Sequence, residues 1–201
     1  MTARGKFIAI EGIDGAGTST QAELLCEALR GKGVDVLLTA EPSDGEVGKI
    51  IREILQGDIE TSPDALALLF AADRVEHWRN LIKPVLEKGA SVVSDRYLLS
   101  SIAYQSLASD AEWVRDINSK VAAPDVTILL DLPVEEALIR LESRGESREI
   151  FEKKETLQKI RESYLYAAKH ESVGPVTILQ ASHSIEEVHK KILILVKEGA
   201  F

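Results

Sequence analysis

The stretch GIDGAGTSTQ, Gly12–Gln21, lies between an apolar run, FIAIE (7–11), and a helical pattern, AELLCEALRGKG (22–33). A buried strand, a glycine-rich loop and a helix, in that order, are the context of the nucleotide-phosphate pattern G-x-x-x-x-G-K-[ST]. Backbone N–H groups of such a loop converge on an anion, and the positive end of the helix dipole points to the same place. The stretch therefore predicts a strand that leads into a phosphate-binding loop.

The match to this pattern is incomplete at one position. Gly12 and Gly17 occupy the two glycine positions, with Gly15 between them. Ser19 stands where the magnesium-binding hydroxyl belongs, but Thr18 replaces the lysine. The loop amides and the helix dipole do not need that lysine, so a phosphate site can form without it. A glycine-rich turn that binds no ligand is the alternative, and the loop alone leaves both interpretations open.

Short apolar runs alternate with helical patterns along the chain. The runs are apolar throughout, as in strands buried on both faces of a parallel sheet. This alternation predicts a three-layer α/β fold with a five-stranded parallel sheet flanked by helices, and we expect residues 1–201 to form a single domain. The strand candidates are FIAIE (7–11), DVLLTA (35–40), SVVS (91–94), VTILLDL (126–132) and VTILQA (176–181). The helix candidates are 20–31, 46–56, 64–88 with an interruption near Pro84, 98–120, 134–143, 152–170 and 184–197.

Charge and composition argue against several classes of protein. The 201-residue chain carries a net charge of -9, whereas a nucleic-acid coat would be basic. The N-terminus lacks the apolar stretch of a signal peptide and no run approaches transmembrane length, so we expect a cytoplasmic protein that does not bind membranes. The single cysteine, Cys26, lies in a helical pattern and is more typical of packed core than of a reactive thiol. The four histidines show no metal-site spacing.

A second motif, SDRYLLSSIAYQ (94–105), follows the apolar run SVV. Asp95 thus stands at the carboxyl end of a strand, where open α/β sheets bind ligands, and its carboxylate can hold magnesium through water. Arg96 carries a planar set of donors suited to a phosphate. A helix N-terminus with an Asp95–Arg96 ion pair explains these two residues equally well. Four polar side chains follow near one helix face, Ser100, Ser101, Tyr104 and Gln105.

Two further segments place an arginine on a helix. In LFAADRVEHW (69–78), Phe70 and Arg74 are one helical turn apart, so the ring can stack on a base while the guanidinium bonds its edge. A core phenylalanine with a surface arginine is the commoner arrangement. In EPSDGEVGKIIREIL (41–55), Arg52 follows a strand, and a surface arginine is the alternative there.

Taken together, these motifs resemble the thymidylate kinase family of P-loop nucleoside monophosphate kinases. The resemblance extends from Phe7 to about the last helix. Its most specific part is DRY-x-x-S-x-x-AYQ, which a generic P-loop protein has no reason to carry. The resemblance implies transfer of the γ-phosphoryl group of ATP to dTMP, giving dTDP and ADP, with Mg²⁺ as cofactor and a homodimeric assembly. The motifs that carry it, in family order, are EGIDGAG, AEP followed by Arg52, LFAADR, DRYLLSSIAYQ, LDLPVEEALIR and FEKKETLQKIRESY.

The resemblance implies an acceptor site for dTMP. Phe70 would stack on thymine with Arg74 at the base edge, and Tyr104 would disfavour a 2′-hydroxyl on the sugar. Arg52 and Arg96 would hold the acceptor phosphate. The residues implied to bind dTMP are Asp14, Arg52, Phe70, Arg74, Arg96, Ser100, Ser101, Tyr104 and Gln105.

The resemblance also implies a donor site and a catalytic set. Arg140 would lie against adenine near the loop after Gln180, and Ser19 with Asp95 would serve the magnesium. The residues implied to bind ATP are Gly12, Gly15, Ala16, Gly17, Thr18, Ser19, Thr20 and Arg140. The residues implied to take part in catalysis are Asp14, Asp95, Arg96, Arg148 and Lys153.

Two departures from the family pattern concern charge. Thr18 replaces the loop lysine, and Ala40 precedes Glu41-Pro42 where many members have arginine. The polar stretch ESRGESREIFEKKE (142–155) is either a solvated helix face or a mobile basic loop. The resemblance makes residues 143–155 a lid, which can supply the missing positive charge. Its available cations are Arg144, Arg148, Lys153 and Lys154.

Three functions remain open on the sequence alone. The first is a dTMP kinase, the second a kinase of another nucleoside monophosphate such as dUMP or dCMP. The third is a degenerate nucleotide-binding regulator that lost catalysis with its lysine. Ser19, Asp95, Arg96 and the charged lid favour an enzyme, because a pure binder does not need arginines for an acceptor phosphate. We therefore expect ATP and dTMP as small-molecule partners, and no nucleic acid.

Overall fold

The computed structural model describes residues 4–143, 150–170 and 173–199, of which 150–153, 170, 198 and 199 are described as backbone only. Its strands are β1 Phe7–Gly12, β2 Val36–Ala40, β3 Ser91–Asp95, β4 Val126–Asp131 and β5 Val176–Gln180. They form one parallel sheet in the order β2-β3-β1-β4-β5. The α/β class, the five strands and their parallel arrangement are thereby confirmed.

Burial along the sheet explains why the strand sequences are apolar. The central strands β1 and β4 are buried over their whole length, but β2 is only partly buried and no residue of β5 is buried. The expectation of burial on both faces is therefore wrong for the two edge strands, which have a neighbour on one side only. Phe7 pairs with Val92 and Ile8 with Val126. Because all neighbours run parallel, the carboxyl ends of the strands meet at one edge of the sheet. The glycine loop after β1 therefore opens beside Asp95.

Nine α-helices flank this sheet in the described parts of the chain. They are α1 Thr18–Gly31, α2 Glu46–Gln56, α3 Pro63–His77, α4 Lys83–Glu87, α5 Leu98–Gln105, α6 Ala111–Ile117, α7 Val134–Ser143, α8 Ile150–His170 and α9 Ile185–Gly199. Over those same residues, no helix combines the length and the apolar character needed to span a bilayer.

The prediction of a single helix over 98–120 is wrong, since α5 ends at Gln105 and α6 begins at Ala111. The Asp110 side chain accepts a hydrogen bond of 2.8 Å from the backbone N–H of Trp113 and so caps a new helix. Asp is among the preferred residues at this position because it satisfies a donor that the helix leaves unpaired. This local bond favours two helices over one.

The interruption predicted near Pro84 lies just before that residue. A π-helical turn, Trp78–Ile82, joins α3 to α4. Proline has no N–H to donate and its ring crowds the carbonyl group four residues earlier, here that of Asn80. A wider turn relieves this crowding without ending the helix.

The loop after β2 is fixed by two helices. A Cβ atom on Gly48 of α2 would lie 2.0 Å from the carbonyl oxygen of Ser43, so only glycine permits this approach. From α3, the Asp73 carboxylate accepts hydrogen bonds from the N–H and hydroxyl of Ser43, at 2.7 and 2.5 Å. The loop thus forms a rigid wall beside the carboxyl ends of the strands.

Candidate active site

The glycine loop has the backbone shape that its sequence predicts. Gly15 and Gly17 have φ angles of 84° and 91°, which side chains other than glycine rarely adopt. At Gly15 a Cβ atom would also lie 2.7 Å from the carbonyl oxygen of Ala137, so α7 packs directly on the loop. Thr18 is buried and begins α1 immediately after the loop. The N-terminus of a 14-residue helix therefore faces the space above the loop.

Ser19 and Asp95, the two predicted metal ligands, lie in contact. The Ser19 hydroxyl donates a hydrogen bond of 2.5 Å to Oδ2 of Asp95. The second oxygen of Asp95, Oδ1, is buried and has no hydrogen-bond partner among the described residues. A buried carboxylate oxygen without a partner is costly unless a cation or water satisfies it. Hydroxyl and carboxylate oxygens are hard ligands, so this pair fits Mg²⁺.

Other metal sites are not apparent in the described parts of the chain. No group of three or more His, Cys, Asp or Glu side chains that could hold an ion occurs among the residues that the structure describes.

Arg96 occupies a strained position at the end of β3. Its φ of 67° is unusual for a residue with a side chain, and it persists because the backbone is held on both sides. The N–H of Arg96 donates to the carbonyl oxygen of Ile10 at 2.9 Å, and its carbonyl oxygen accepts from the Ser94 hydroxyl at 2.6 Å. Instead of an Asp95–Arg96 ion pair, the structure shows Arg96 paired with Asp14, with Nη2 2.7 Å from Oδ1. The two predicted catalytic residues Asp14 and Arg96 are thus adjacent.

A cavity of about 370 Å³ opens beside this pair. It is lined by apolar and aromatic side chains with polar groups between them, as is usual for small-molecule sites. Phe70 is half-buried in its wall rather than in the core. Of the nine residues predicted to bind dTMP, eight line the cavity: Asp14, Phe70, Arg74, Arg96, Ser100, Ser101, Tyr104 and Gln105.

Arg74 is buried, with 1% of its surface exposed, so the alternative of a surface arginine is wrong. Nε and Nη2 bind Oε2 of Glu41 at 2.8 and 2.7 Å, and Nη2 also donates to the Tyr97 carbonyl at 3.1 Å. Nη1 donates to Ser101 at 2.8 Å and to Asn118. Of the five N–H donors of a guanidinium, four make these hydrogen bonds, and Nη2 also lies in the ion pair with Glu41. A base edge at Arg74 would therefore share or displace an existing bond.

Arg52 is the predicted dTMP-binding residue that does not line the cavity. Its side chain is 36% exposed, and Nη1 donates to the carbonyl oxygens of Pro42 and Ser43 at 3.0 and 2.7 Å. In this structure Arg52 supports the loop after β2. Its contact with an acceptor phosphate stays a prediction.

Glu11, to which the motif analysis gave no role, lies directly behind Arg96 and is fully buried. Its Oε1 accepts from the N–H groups of Tyr97 and Ser100 at 2.9 and 3.3 Å, and Oε2 accepts from the Ser100 hydroxyl at 2.5 Å. Burial raises the pKa of Glu11, and the bonds from Ser100 and the charge of Arg96 act against that rise. In the sequence, the feature that could have indicated a role for Glu11 is its position as the one carboxylate in the apolar run FIAIE (7–11).

A second cavity, of about 260 Å³, lies on the other side of the loop. Arg140 lines it and is held by its Nη2, which donates to the Ala181 carbonyl at 3.0 Å. This places Arg140 beside the loop after Gln180, as predicted, while its contact with adenine stays a prediction. Of the other residues predicted to bind ATP, Gly15, Ala16, Gly17 and Thr20 line the same cavity.

Residues 144–149 of the predicted lid, 143–155, lie outside the described residues. Arg144 and Arg148 are not described, and Lys153 is described as backbone only. Lys154 is described, and its Nζ lies 2.8 Å from Oε1 of Glu135, which joins α8 to α7. The lid therefore stays a prediction.

Comparison with known proteins identifies the family. A family model described as thymidylate kinase matches residues 10–192. The chain belongs to the thymidylate kinase family. A relative curated as "Probable thymidylate kinase" from Pyrococcus abyssi is 48% identical over 200 residues, covering 96% of this chain and 97% of the relative. Relatives with the same curated name from Pyrococcus horikoshii and Thermococcus gammatolerans are 46% and 45% identical, with the same coverage. Members of the thymidylate kinase family are phosphotransferases, which accords with two cavities beside one phosphate loop.

Proposed function

We propose that this protein transfers the γ-phosphoryl group of ATP to dTMP, with Mg²⁺, in the synthesis of dTTP. The observation that supports this most directly is the arrangement of the two cavities. Asp14 lines one and the next residue, Gly15, lines the other, so a donor and an acceptor would meet at the loop. Phosphoryl transfer depends mainly on such alignment and on charge stabilisation.

On the donor side, the loop amides and the N-terminus of α1 would hold the ATP phosphates. Arg140 would lie against the adenine in the 260 Å³ cavity. Ser19 and Asp95 would hold the Mg²⁺, which neutralises phosphate charge when bound. The Thr18 hydroxyl can donate one neutral hydrogen bond, weaker than that of a lysine ammonium group.

On the acceptor side, Phe70 would stack on thymine and Tyr104 would face the sugar. Arg96 would hold the acceptor phosphate, because its guanidinium is already directed at the cavity by Asp14. The phosphate of dTMP is itself an anionic nucleophile near neutral pH, so no strong general base is needed. The task of Arg96 is to overcome repulsion between two anionic substrates and to stabilise charge in the transition state.

Several features of the family are proposals for this chain. We propose one kinase domain over residues 1–201, a lid over 143–155 that excludes water on closure, and a homodimer in the cytoplasm. Arg148 and Lys153 in the lid would contribute catalytic charge. Single substitutions of these residues test their contribution.

An assay of ADP release with dTMP, dUMP, dCMP and UMP tests the proposed function. We expect turnover with dTMP and far less with UMP, because Tyr104 would crowd a 2′-hydroxyl. Tyr104 is held at the cavity wall by a T-shaped contact with Tyr164, whose ring centroid lies 5.9 Å from its own. Comparable efficiency with UMP would instead indicate a broad nucleoside monophosphate kinase. ATP binding without turnover of any acceptor would indicate a nucleotide-binding regulator.

A further inference from the structure

Tyr164 connects helix α8 to the acceptor cavity from behind. It is 1% exposed and is the last residue of the motif FEKKETLQKIRESY (151–164), from which no role for it was predicted. Its hydroxyl lies 3.1 Å from Nη1 of Arg96, 2.7 Å from Oγ of Ser100 and 3.4 Å from Oε2 of Glu11. The remaining contacts of Nη1 are longer, 3.3 Å to Tyr104 and 3.4 Å to Ser100. Tyr164 therefore provides the closest partner of this half of the guanidinium.

The direction of hydrogen bonding in this cluster is fixed at both ends. A guanidinium can only donate, so Arg96 donates to the oxygen of Tyr164. A carboxylate can only accept, so Ser100 donates to Glu11 over 2.5 Å. The Tyr164 hydroxyl then has two acceptors for its proton, Oγ of Ser100 at 2.7 Å and Oε2 of Glu11 at 3.4 Å, and the shorter distance favours Ser100. With either acceptor, the Tyr164 oxygen stays an acceptor for Arg96. Successive hydrogen bonds of this kind polarise and strengthen one another.

We propose that Tyr164 is a positioning residue for Arg96. Ser100 and Glu11 keep a lone pair of the Tyr164 oxygen directed at the Arg96 guanidinium. The alignment of this acceptor-site arginine therefore depends on the docking of α8. This inference rests on the proposed function. The same helix is fixed one turn earlier by Arg161, which binds Asp131 through two bonds of 2.6 and 3.0 Å. Movement of α8 would therefore be transmitted to Arg96 through Tyr164.

The test is a double-mutant cycle with Tyr164→Phe and Arg96→Ala. Tyr164→Phe alone should lower kcat/KM for dTMP roughly tenfold, the effect that loss of a hydrogen bond to a charged group typically has. It should leave KM for ATP unchanged. In the Arg96→Ala background the same substitution should cost less than about twofold, because no guanidinium remains to be positioned. An equal loss in both backgrounds, or near wild-type kcat/KM in the single variant, would overturn the proposal.

Calorimetric binding of dTMP and of thymidine provides a readout that does not need turnover. Tyr164→Phe should weaken dTMP but not thymidine, since only dTMP carries the phosphate that Arg96 would hold. Equal weakening of both ligands would indicate a general distortion of the cavity and would overturn the proposal. If the wild-type protein binds dTMP without phosphorylating it, the proposed function fails while the cycle on binding still decides the role of Tyr164.

Two further variants separate positioning from structure. Tyr166→Phe removes a hydroxyl from an exposed side chain two residues along the same helix and should leave both readouts unchanged. Glu11→Gln should reproduce the loss seen with Tyr164→Phe, because an amide N–H facing Ser100 would reverse the direction of donation toward Arg96. If Tyr164→Phe does not fold, Glu11→Gln tests the same hydrogen-bond chain. Normal dTMP binding by Glu11→Gln would overturn the proposal.

Discussion

Arg74 and Arg96 are both surrounded by fixed partners within the protein. Arg74 is bound by Glu41, Ser101 and Asn118, and Arg96 by Asp14 and Tyr164. Charged groups held in this way need little reorganisation when a substrate charge arrives, which is the physical basis of electrostatic preorganisation. Aromatic residues of the cavity would contribute to substrate binding in a different way, through the area of contact with the base.

Phe70 is the side chain whose contribution to base binding is simplest to isolate. Phe70→Ala should weaken dTMP binding by roughly 1–3 kcal/mol, the range for stacking of a base on an aromatic ring. ATP affinity should not change, since Phe70 lines only the acceptor cavity of the two described above. Calorimetric titration with each nucleotide measures both effects. Leu68→Ala, at a half-exposed position two residues earlier on α3, is the matched control.

Unaltered dTMP affinity in Phe70→Ala would mean that the ring serves only packing.

Site residues that were predicted from sequence motifs differ from those that were missed in the sequence distance to their hydrogen-bond partners. Asp14, Ser19, Asp95 and Arg96 lie in short motifs at the ends of strands, so their grouping follows from the parallel order of the sheet. Glu11 is different, because its partner Tyr164 lies 153 residues away in the chain. No local spacing links such a pair, and only the packing of α8 brings them together.

Helix α8 is the element that carries most of these hidden contacts. Its residues Leu157, Ile160 and Tyr164 are buried, and Arg161 on an adjoining face binds Asp131. The pattern of the sequence predicted this helix, since its apolar residues recur at helical spacing. It did not predict the break between α5 and α6, where a single cap at Asp110 outweighs an otherwise continuous helical pattern.

Loss of the Arg161–Asp131 contact should weaken the docking of α8. Asp131 is largely buried, so Arg161→Ala leaves its carboxylate with Gln180, at 2.9 Å, as a remaining side-chain donor. We expect a loss of roughly 1–3 kcal/mol in the free energy of unfolding, measured with urea. Lys159→Ala removes an exposed ion pair with Glu155 on the same helix and should change stability by no more than about 0.5 kcal/mol. Equal effects of the two substitutions would contradict a docking role for Arg161.

Helix α1 contains the single cysteine, and its environment has a consequence for reactivity. Cys26 is fully buried, and burial raises its pKa to about 11, so almost no thiolate is present at pH 8. We expect a disulfide reagent to react with the native protein very slowly at that pH, and rapidly once denaturant is added. The absorbance of the released thiolate measures the rate. Fast reaction of the native protein would show that α1 opens readily.

At the scale of the whole molecule, catalysis requires a charge that the phosphate loop lacks. With Thr18 in the lysine position, the segment 143–155 is the predicted source of that charge. Neutralising Arg144, Arg148, Lys153 and Lys154 one at a time should reveal at least one loss of about 10²-fold or more in kcat. Lys154 would first have to leave Glu135. Thr18→Lys should partly rescue the affected variant, because a lysine ammonium replaces the lost cation.

Near-full activity in all four variants of an active parent would show that the lid does not supply the charge. An inactive parent that gains kinase activity with Thr18→Lys would instead identify a regulator that has lost catalysis.

The central position of β1 constrains the order in which a nascent chain can fold. β1 leaves the ribosome first, yet its two neighbours, β3 and β4, are made much later, since Phe7 pairs with Val92 and Ile8 with Val126. At synthesis rates of about 5–20 residues per second, this apolar strand stays unpaired for seconds, a state that favours aggregation. The phosphate loop has no sheet to hold it during that time. Nucleotide therefore cannot assist the earliest steps of folding, before β3 and β4 have been made.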